Sequence, residues 1–328
     1  MQPKIRIGIA GYGNLGRGVE MAISQSPDMQ LVGVFTRREP GSVSLLDASI
    51  PVYTQDSIAQ YQGQIDVLIL CGGSKNDLPE QGPAMAALFN TVDSFDTHAT
   101  IPEYYAAVDQ AAHPAGKTAI LSVGWDPGLF SLNRLFGEAI LPVGATYTFW
   151  GKGLSQGHSD AVRRVEGVKA GVQYTLPSDE AIERVRNGEL PELATREKHK
   201  RECYVVLDEG ADAADVEQSI VSMPHYFAEY DTTVHFISEE QLRRDHAAMP
   251  HGGVVIRSGT SAAGTNQVVE YTLKLGSNPE FTAAVLVAYA RAAWRLNQNG
   301  VVGAQTVLDV APGLLSPKTP AELRKELL

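Results

Sequence analysis

The segment Ile5-Arg6-Ile7-Gly8-Ile9-Ala10-Gly11-Tyr12-Gly13-Asn14-Leu15-Gly16-Arg17 decides the fold. A run of strand character, Ile5 to Ala10, ends in Gly-x-Gly-x-x-Gly, and Leu15 to Ser24 then reads as a helix closed by Ser26-Pro27. At such a strand–turn–helix corner the glycines have separate reasons. Gly11 permits the tight turn, Gly13 lets backbone approach a pyrophosphate, and Gly16 lets the helix pack on the strand. Amides at the start of the helix then face the phosphate charge. Gly11, Tyr12, Gly13, Asn14, Leu15 and Gly16 are therefore expected to hold a dinucleotide.

Outward from this corner the chain alternates. Leu31 to Phe35 is a second strand, and it ends in Thr36-Arg37-Arg38 rather than in the Asp or Glu that grips the ribose hydroxyls of NAD. A hydroxyl and two guanidinium groups suit a 2′-phosphate, so NADP is the expected cofactor. Ile65 to Leu70 is nearly continuous apolar sequence, as a parallel strand buried on both faces requires. Thr91-Val92-Asp93 and Thr118 to Val123 complete the strands, with a helix from near Pro102 toward Gly116. This pattern predicts an α/β fold, a Rossmann-type doubly wound parallel sheet. Its strand ends form the ligand crevice. Three of them carry small or polar residues: Cys71-Gly72-Gly73-Ser74, Asp93-Ser94-Phe95-Asp96 and Ser122-Val123-Gly124-Trp125-Asp126. No local cationic group suggests a thiolate at Cys71, so it reads as a plain buried thiol.

The middle of the chain has a different rhythm. Thr146–Trp150, Val168–Leu176, Cys203–Leu207, Thr232–Ile237, Gly253–Arg257 and Gln267–Leu275 are strand candidates. Helices are expected at Asp179–Arg186, Ala213–Ser222 and Glu239–Ala247. We read a second α+β domain built on one main sheet. The expected domains are 1–125 for the dinucleotide and 126–277 for the substrate, with 278–328, including a long helix from Phe281 to Asn297, returning to the first.

Composition narrows the function. Of 328 residues, 44% are hydrophobic and 20% charged, which excludes a disordered or fibrous chain. A net charge of −11 argues against nonspecific nucleic-acid binding. The richest apolar stretch, Phe281 to Ala290, stops at Arg291, short of a membrane span. The start, Met1-Gln2-Pro3-Lys4, lacks the pattern of a secretory signal, and two cysteines give no disulfide framework. A cytoplasmic location is expected. No metal-ligand spacing occurs.

Longer motifs carry a specific resemblance. Gly11 to Arg17, Gly124-Trp125-Asp126-Pro127-Gly128, Phe149-Trp150-Gly151 with Gly153-Leu154-Ser155-Gln156-Gly157-His158-Ser159-Asp160, Gln173 to Pro177, His199-Lys200-Arg201, Met249 to Gly253 and Asn278-Pro279 span the chain in order. In these the sequence resembles the meso-diaminopimelate dehydrogenase family. The resemblance implies reversible NADP-linked oxidative deamination at the D-carbon of meso-2,6-diaminopimelate, with a homodimeric assembly. It implies that Asp96 and Asp126 hold the reacting amine, and that Trp150 with the Gln156-Gly157 backbone holds the near carboxylate. Thr175, Arg201 and His251 would hold the far carboxylate, and Asn278 the far amine. The proton acceptor stays open between Asp96, Asp126 and water.

Three rival readings were weighed. Dihydrodipicolinate reductases carry a His-His pair that is missing here. A broader D-amino acid dehydrogenase would not need the distal contacts. A non-catalytic NADPH sensor would not need the dense polar set.

Overall fold

The computed structural model describes residues 3–328; Met1 and Gln2, with the reading of the N-terminal start that rests on them, lie outside it. The chain divides into two compact units, Met1–Leu132 with Pro279–Leu328, and Asn133–Asn278.

In the first unit β1 (Ile5–Ala10), α1 (Asn14–Ser24), β2 (Met29–Thr36), β3 (Val52–Thr54), β4 (Val67–Leu70), α2 (Leu78–Ala86), β5 (Asn90–Asp93), α3 (Ile101–Ala112) and β6 (Thr118–Ile120) follow one another. With β14 (Gly303–Gln305) from the end of the chain, the strands form a seven-stranded parallel sheet in the order β14-β6-β5-β4-β1-β2-β3. Strand order reverses between β1 and β4, and that switch point sets Gly11 beside Cys71 and Gly72. Alternate side chains of the inner strands feed separate cores. Ile7, Ile9, Val67 and Ile69 pack with the C-terminal helix, while Leu68, Leu70 and Phe35 pack with Leu78 and Tyr104. Both faces are apolar, so the strands read as continuous runs.

Helix α4 (Leu129–Ile140) crosses the point where the units part, between Leu132 and Asn133. The sequence reading put that break at 125–126 and did not register this helix.

The second unit runs β7 (Val143–Trp150), β8 (Gly153–Leu154), α5 (Gln156–Arg163), β9 (Val168–Pro177), α6 (Asp179–Arg186), α7 (Thr195–Lys198), β10 (His199–Leu207), α8 (Ala213–Val221), β11 (Asp231–Phe236), α9 (Glu239–Asp245), β12 (His251–Ala262) and β13 (Thr265–Leu275). Here one expectation is corrected. There are two sheets, not one: β11-β10-β9-β8 and β13-β12-β7. The chain changes sheets between Trp150 and Gly153, through Gly151 at φ +116°, where a Cβ would strike the Thr175 carbonyl. Strand alternation records which face is buried and says nothing of which strand is the neighbour, so a sequence reading merges the two.

The chain then returns to the first unit with α10 (Asn278–Gln298), β14 (Gly303–Gln305) and α11 (Pro320–Leu327). A Cβ on Gly18 of α1 would lie 2.9 Å from the Ala283 methyl, so glycine there sets how closely α1 and α10 approach. Arg291, 4% exposed, holds Asp28 through two bonds of 2.6 and 2.8 Å.

Candidate functional site

The glycine corner is built as the motif requires. Gly11 has φ +95°, and a Cβ there would sit 3.2 Å from the Cys71 carbonyl. At Gly13 a Cβ would meet nothing within 4 Å, because that side opens on a cavity of about 650 Å³. At Gly16 it would strike the Gly11 carbonyl. Asn14 and Leu15 begin α1, whose first turn carries no acid. Tyr12 turns its hydroxyl to the buried Glu20 carboxylate, which also accepts from the Leu46 and Asp47 amides; burial and Glu20 push the phenol up to about 12.

Thr36, Arg37 and Arg38 line the same cavity, opposite Gly72. The Thr36 hydroxyl accepts from the Arg38 amide at 3.1 Å, and the Arg38 guanidinium donates to the Tyr12 carbonyl. Arg37 donates to both Asp77 oxygens at 2.8 and 3.2 Å. Asp77, which sequence reasoning missed, also accepts from the Gly73 amide, and this bond and Arg37 hold its carboxyl below the usual range. An Asp directly before a helix with an early proline was the available signal. Burial pushes the half-buried Cys71 thiol up, so it stays protonated at neutral pH.

Asp93 is turned inward. Its carboxylate accepts from the Phe95 and Ser122 amides at 2.9 and 3.1 Å and from the Tyr104 hydroxyl at 2.7 Å. Burial pushes this carboxyl up, against those three donors. Phe95 stacks on Tyr104 with centroids 4.1 Å apart. Asp93 and Phe95 therefore fix the strand ends with their side chains and leave backbone, Ser94 included, for a ligand. Ser122 has φ 56° and a buried hydroxyl with no partner, the kind of strained, unsatisfied residue that collects at binding sites. Val123 donates to the Asp93 carbonyl at 2.8 Å. Beyond it, Gly124 and Gly128 close a turn bridged by Trp125 and Gly128, and Trp125 packs edge-on to Phe130. Asp126 sits half-buried on that turn. The exposed Asp96 is tethered by its amide to the Ser74 hydroxyl at 2.9 Å.

Trp150, Gln156, Thr175, Arg201 and His251 fall on the second unit, and its four-stranded sheet brings several of them together. Thr232, Arg201, Thr175 and Gly153 lie in register across its four strands. Arg201 is 7% exposed and donates to the Thr175 hydroxyl, with its guanidinium 4.0 Å from the centre of the Tyr230 ring. Among the described residues no carboxylate forms an ion pair with it. Burial, and then Arg201, push His158 and His199 down to about 4, and His251 is lowered too, so all three face the guanidinium as neutral rings. A buried cation without an anion is costly, so this place is suited to an incoming carboxylate.

His251 is packed against Gly153, where a Cβ would strike its ring. The Trp150 amide donates to His199 Nε2 at 2.8 Å, and its indole stacks on that imidazole with centroids 5.2 Å apart. His199 read as part of a basic run in sequence; the alternation of buried His199, Arg201 and Cys203 was the signal for a shared face. Gln156 opens α5 and donates to Met249 Sδ at 3.4 Å, with Gly157 exposed beside it. Asn278 opens α10, its amide on the Met249 carbonyl at 2.9 Å. Asp96 and Asp126 belong to the other unit.

The doubly wound sheet and its glycine corner together define a dinucleotide-binding protein of Rossmann type, joined to a second unit with a buried polar cluster. Residues 124–277 match the model of the diaminopimelic acid dehydrogenase C-terminal domain. The chain is 67% identical to meso-diaminopimelate D-dehydrogenase of Ureibacillus thermosphaericus, over 99% of each chain. DAP dehydrogenase of C. glutamicum in complex with DAP superposes with a TM-score of 0.92 at 47% identity, covering 100% of each chain. An engineered D-amino acid dehydrogenase bound to NADP+ does so at 0.87 and 46%, covering 99% of this chain and 100% of its own. The chain belongs to the meso-diaminopimelate D-dehydrogenase family, oxidoreductases acting on CH–NH2.

Proposed function

We propose that this chain catalyses the reversible, NADP-linked oxidative deamination of the D-centre of meso-2,6-diaminopimelate, giving L-2-amino-6-oxopimelate and ammonia. The observation that carries this reading is Arg201, a buried guanidinium whose protein contacts are a hydroxyl and an aromatic face. It takes the far L-carboxylate, with Thr175 and His251 beside it. Asn278 takes the far amine. Trp150 and the amides at the start of α5, Gln156 and Gly157, take the near carboxylate. Asp96 and Asp126 hold the reacting amine, whose proton leaves to one of these carboxylates or to water. A molecule held at both ends presents one stereocentre, and such positioning is a large catalytic term.

The residues around the first cavity fit NADP: the open face of Gly13, and Thr36, Arg37 and Arg38 at the end of β2. When bound, the nicotinamide supplies the acceptor for the hydride of the D-carbon. Arg37 and Arg38 grip the 2′-phosphate and orient the adenosine end. Two further readings complete the proposal. The chain acts as a homodimer, a reading supported by the apolar face of Leu135, Phe136, Ile140 and Val143, which are 44, 48, 67 and 67% exposed. It acts in the cytoplasm, which its two free cysteines suit.

NADP reduction measured with the meso, LL and DD isomers of diaminopimelate tests the assignment. The meso isomer is expected to be the substrate, and activity on LL alone would overturn the stereochemistry. Arg37→Ala with Arg38→Ala is expected to raise KM for NADP far more than for NAD; equal losses remove the 2′-phosphate assignment. Sedimentation as monomers only would remove the dimer.

A further inference from the structure

Beside Arg201 lies a feature that the substrate contacts leave unexplained. Gln173 is wholly buried on β9, and neither its amide oxygen nor its amide nitrogen has a partner among the described residues. Its backbone is pinned by α5: the amide donates to the Ser159 hydroxyl at 2.9 Å, and the carbonyl accepts from the Ser155 amide at 3.0 Å. The side chain is held in one enclosed place. Arg201 Nε and the Thr232 hydroxyl are also buried and unpartnered.

Register puts the three together. Gln173 is opposite Cys203 and Thr175 is opposite Arg201, so Gln173 is the diagonal neighbour of Arg201 on one face of the sheet. Diagonal neighbours on adjacent strands stand roughly 7–8 Å apart, within reach of long side chains. Thr232 is paired with Arg201 from the other side. One molecule then suffices for three of these four orphaned groups, the Gln173 amide nitrogen being the fourth. The Nε–H is a donor, the Gln173 oxygen is an acceptor, and the threonine hydroxyl is either. The chemistry of the three atoms would let one water accept from Arg201 Nε and donate to Gln173 Oε1 and Thr232 Oγ1. Three polar partners in an enclosed polar gap are the usual setting of a buried water.

We propose that Gln173 is a positioning residue for Arg201, holding the guanidinium through this shared water so that its outer nitrogens face the far carboxylate of the substrate. The inference rests on the reading of Arg201 given above. It adds a specificity determinant that never touches substrate: the anchor of the anchor.

Steady-state kinetics of Gln173→Leu, Gln173→Met and Gln173→Glu, alone and with Arg201→Met, test it. The apolar variants are expected to raise KM for meso-diaminopimelate about 5- to 30-fold with kcat within about 2-fold, because uniform binding is what they weaken. KM for NADP is unchanged. Gln173→Glu keeps the size but places a carboxylate beside the guanidinium, and it is expected to raise KM further than either. In the Arg201→Met background Gln173→Leu adds nothing, whereas a merely structural role would multiply the losses. Wild-type KM in all three variants, or additive losses in the double mutant, overturns the proposal. If Arg201→Met itself leaves KM unchanged, the site reading falls and this falls with it. A high-resolution crystal structure provides the direct check: water bridging Gln173 Oε1 and Arg201 Nε is expected, and a dry gap overturns it.

Discussion

Buried arginines at positions 201, 257 and 291 show how one residue type is put to different uses by its neighbours. Arg257 spends its donors on the Leu141 and Pro142 carbonyls and the Thr146 hydroxyl, and Arg291 pairs with Asp28. These two are structural. Arg201 has a threonine hydroxyl and the face of Tyr230, with neutral histidines around it. An apo protein that carries such a cation sacrifices stability to keep a binding group ready. Arg201→Met is therefore expected to act in two directions. KM for meso-diaminopimelate rises roughly 10- to 100-fold, the worth of a charge-assisted hydrogen bond. The thermal midpoint of the ligand-free protein rises by a few degrees, read by calorimetry. A fall in the midpoint would mean that the guanidinium is compensated after all. The residue types at 201 and 251 could be picked out in the sequence, but that no carboxylate among the described residues pairs with Arg201 could not. Gln173 and His199 escaped notice because a glutamine in a strand and a histidine in a basic run carry no sign of what faces them.

At the scale of elements, the strand ends are set by packing some distance away. Gly82 of α2 leaves room for Tyr104 of α3, whose hydroxyl donates to Asp93, whose carboxylate in turn holds the Phe95 and Ser122 amides. A Cβ at Gly82 would collide with that hydroxyl. Gly82→Ala is thus expected to raise KM for NADP several-fold and to lower stability by about 1–3 kcal/mol, the usual cost of overpacking. Denaturant titration with cofactor kinetics checks both, and an unchanged cofactor KM would break the chain from helix to strand end. Of the elements themselves, α6 matches the sequence reading at both ends, because its capping serine and apolar spacing are local. The helix at Leu78–Ala86 was hidden by Gly82 and Pro83, which break a helical pattern on paper but fit at a close crossing.

For the whole molecule, burial of imidazoles beside Arg201 links stability to pH. His158 and His199 titrate near 4 when folded, well below the ordinary histidine value. Between those values the unfolded chain binds more protons than the folded one, so stability falls as pH falls. The loss begins near pH 6.5 and approaches about 1.4 kcal/mol per pH unit for each histidine, ending near pH 4. Thermal midpoints measured across that window are expected to decline, and His199→Gln to flatten the slope. A slope unchanged in that variant would exclude His199 as a source.

What the sequence determined by itself was whatever depends on local geometry. The Gly11–Gly16 corner, the strand alternation and the long motifs of residues 149–160 were enough for the doubly wound sheet and the family. The tertiary structure alone decided the rest. It divided the second unit into two sheets, gave Asp93 to the strand ends and Asp77 to Arg37, and set Gln173 and Thr232 around the Arg201 guanidinium. The physical reason is that turn conformation and periodicity are properties of neighbours along the chain. Strand pairing, and the partner a buried polar group lacks, depend on residues far apart in sequence that meet only when the sheet closes.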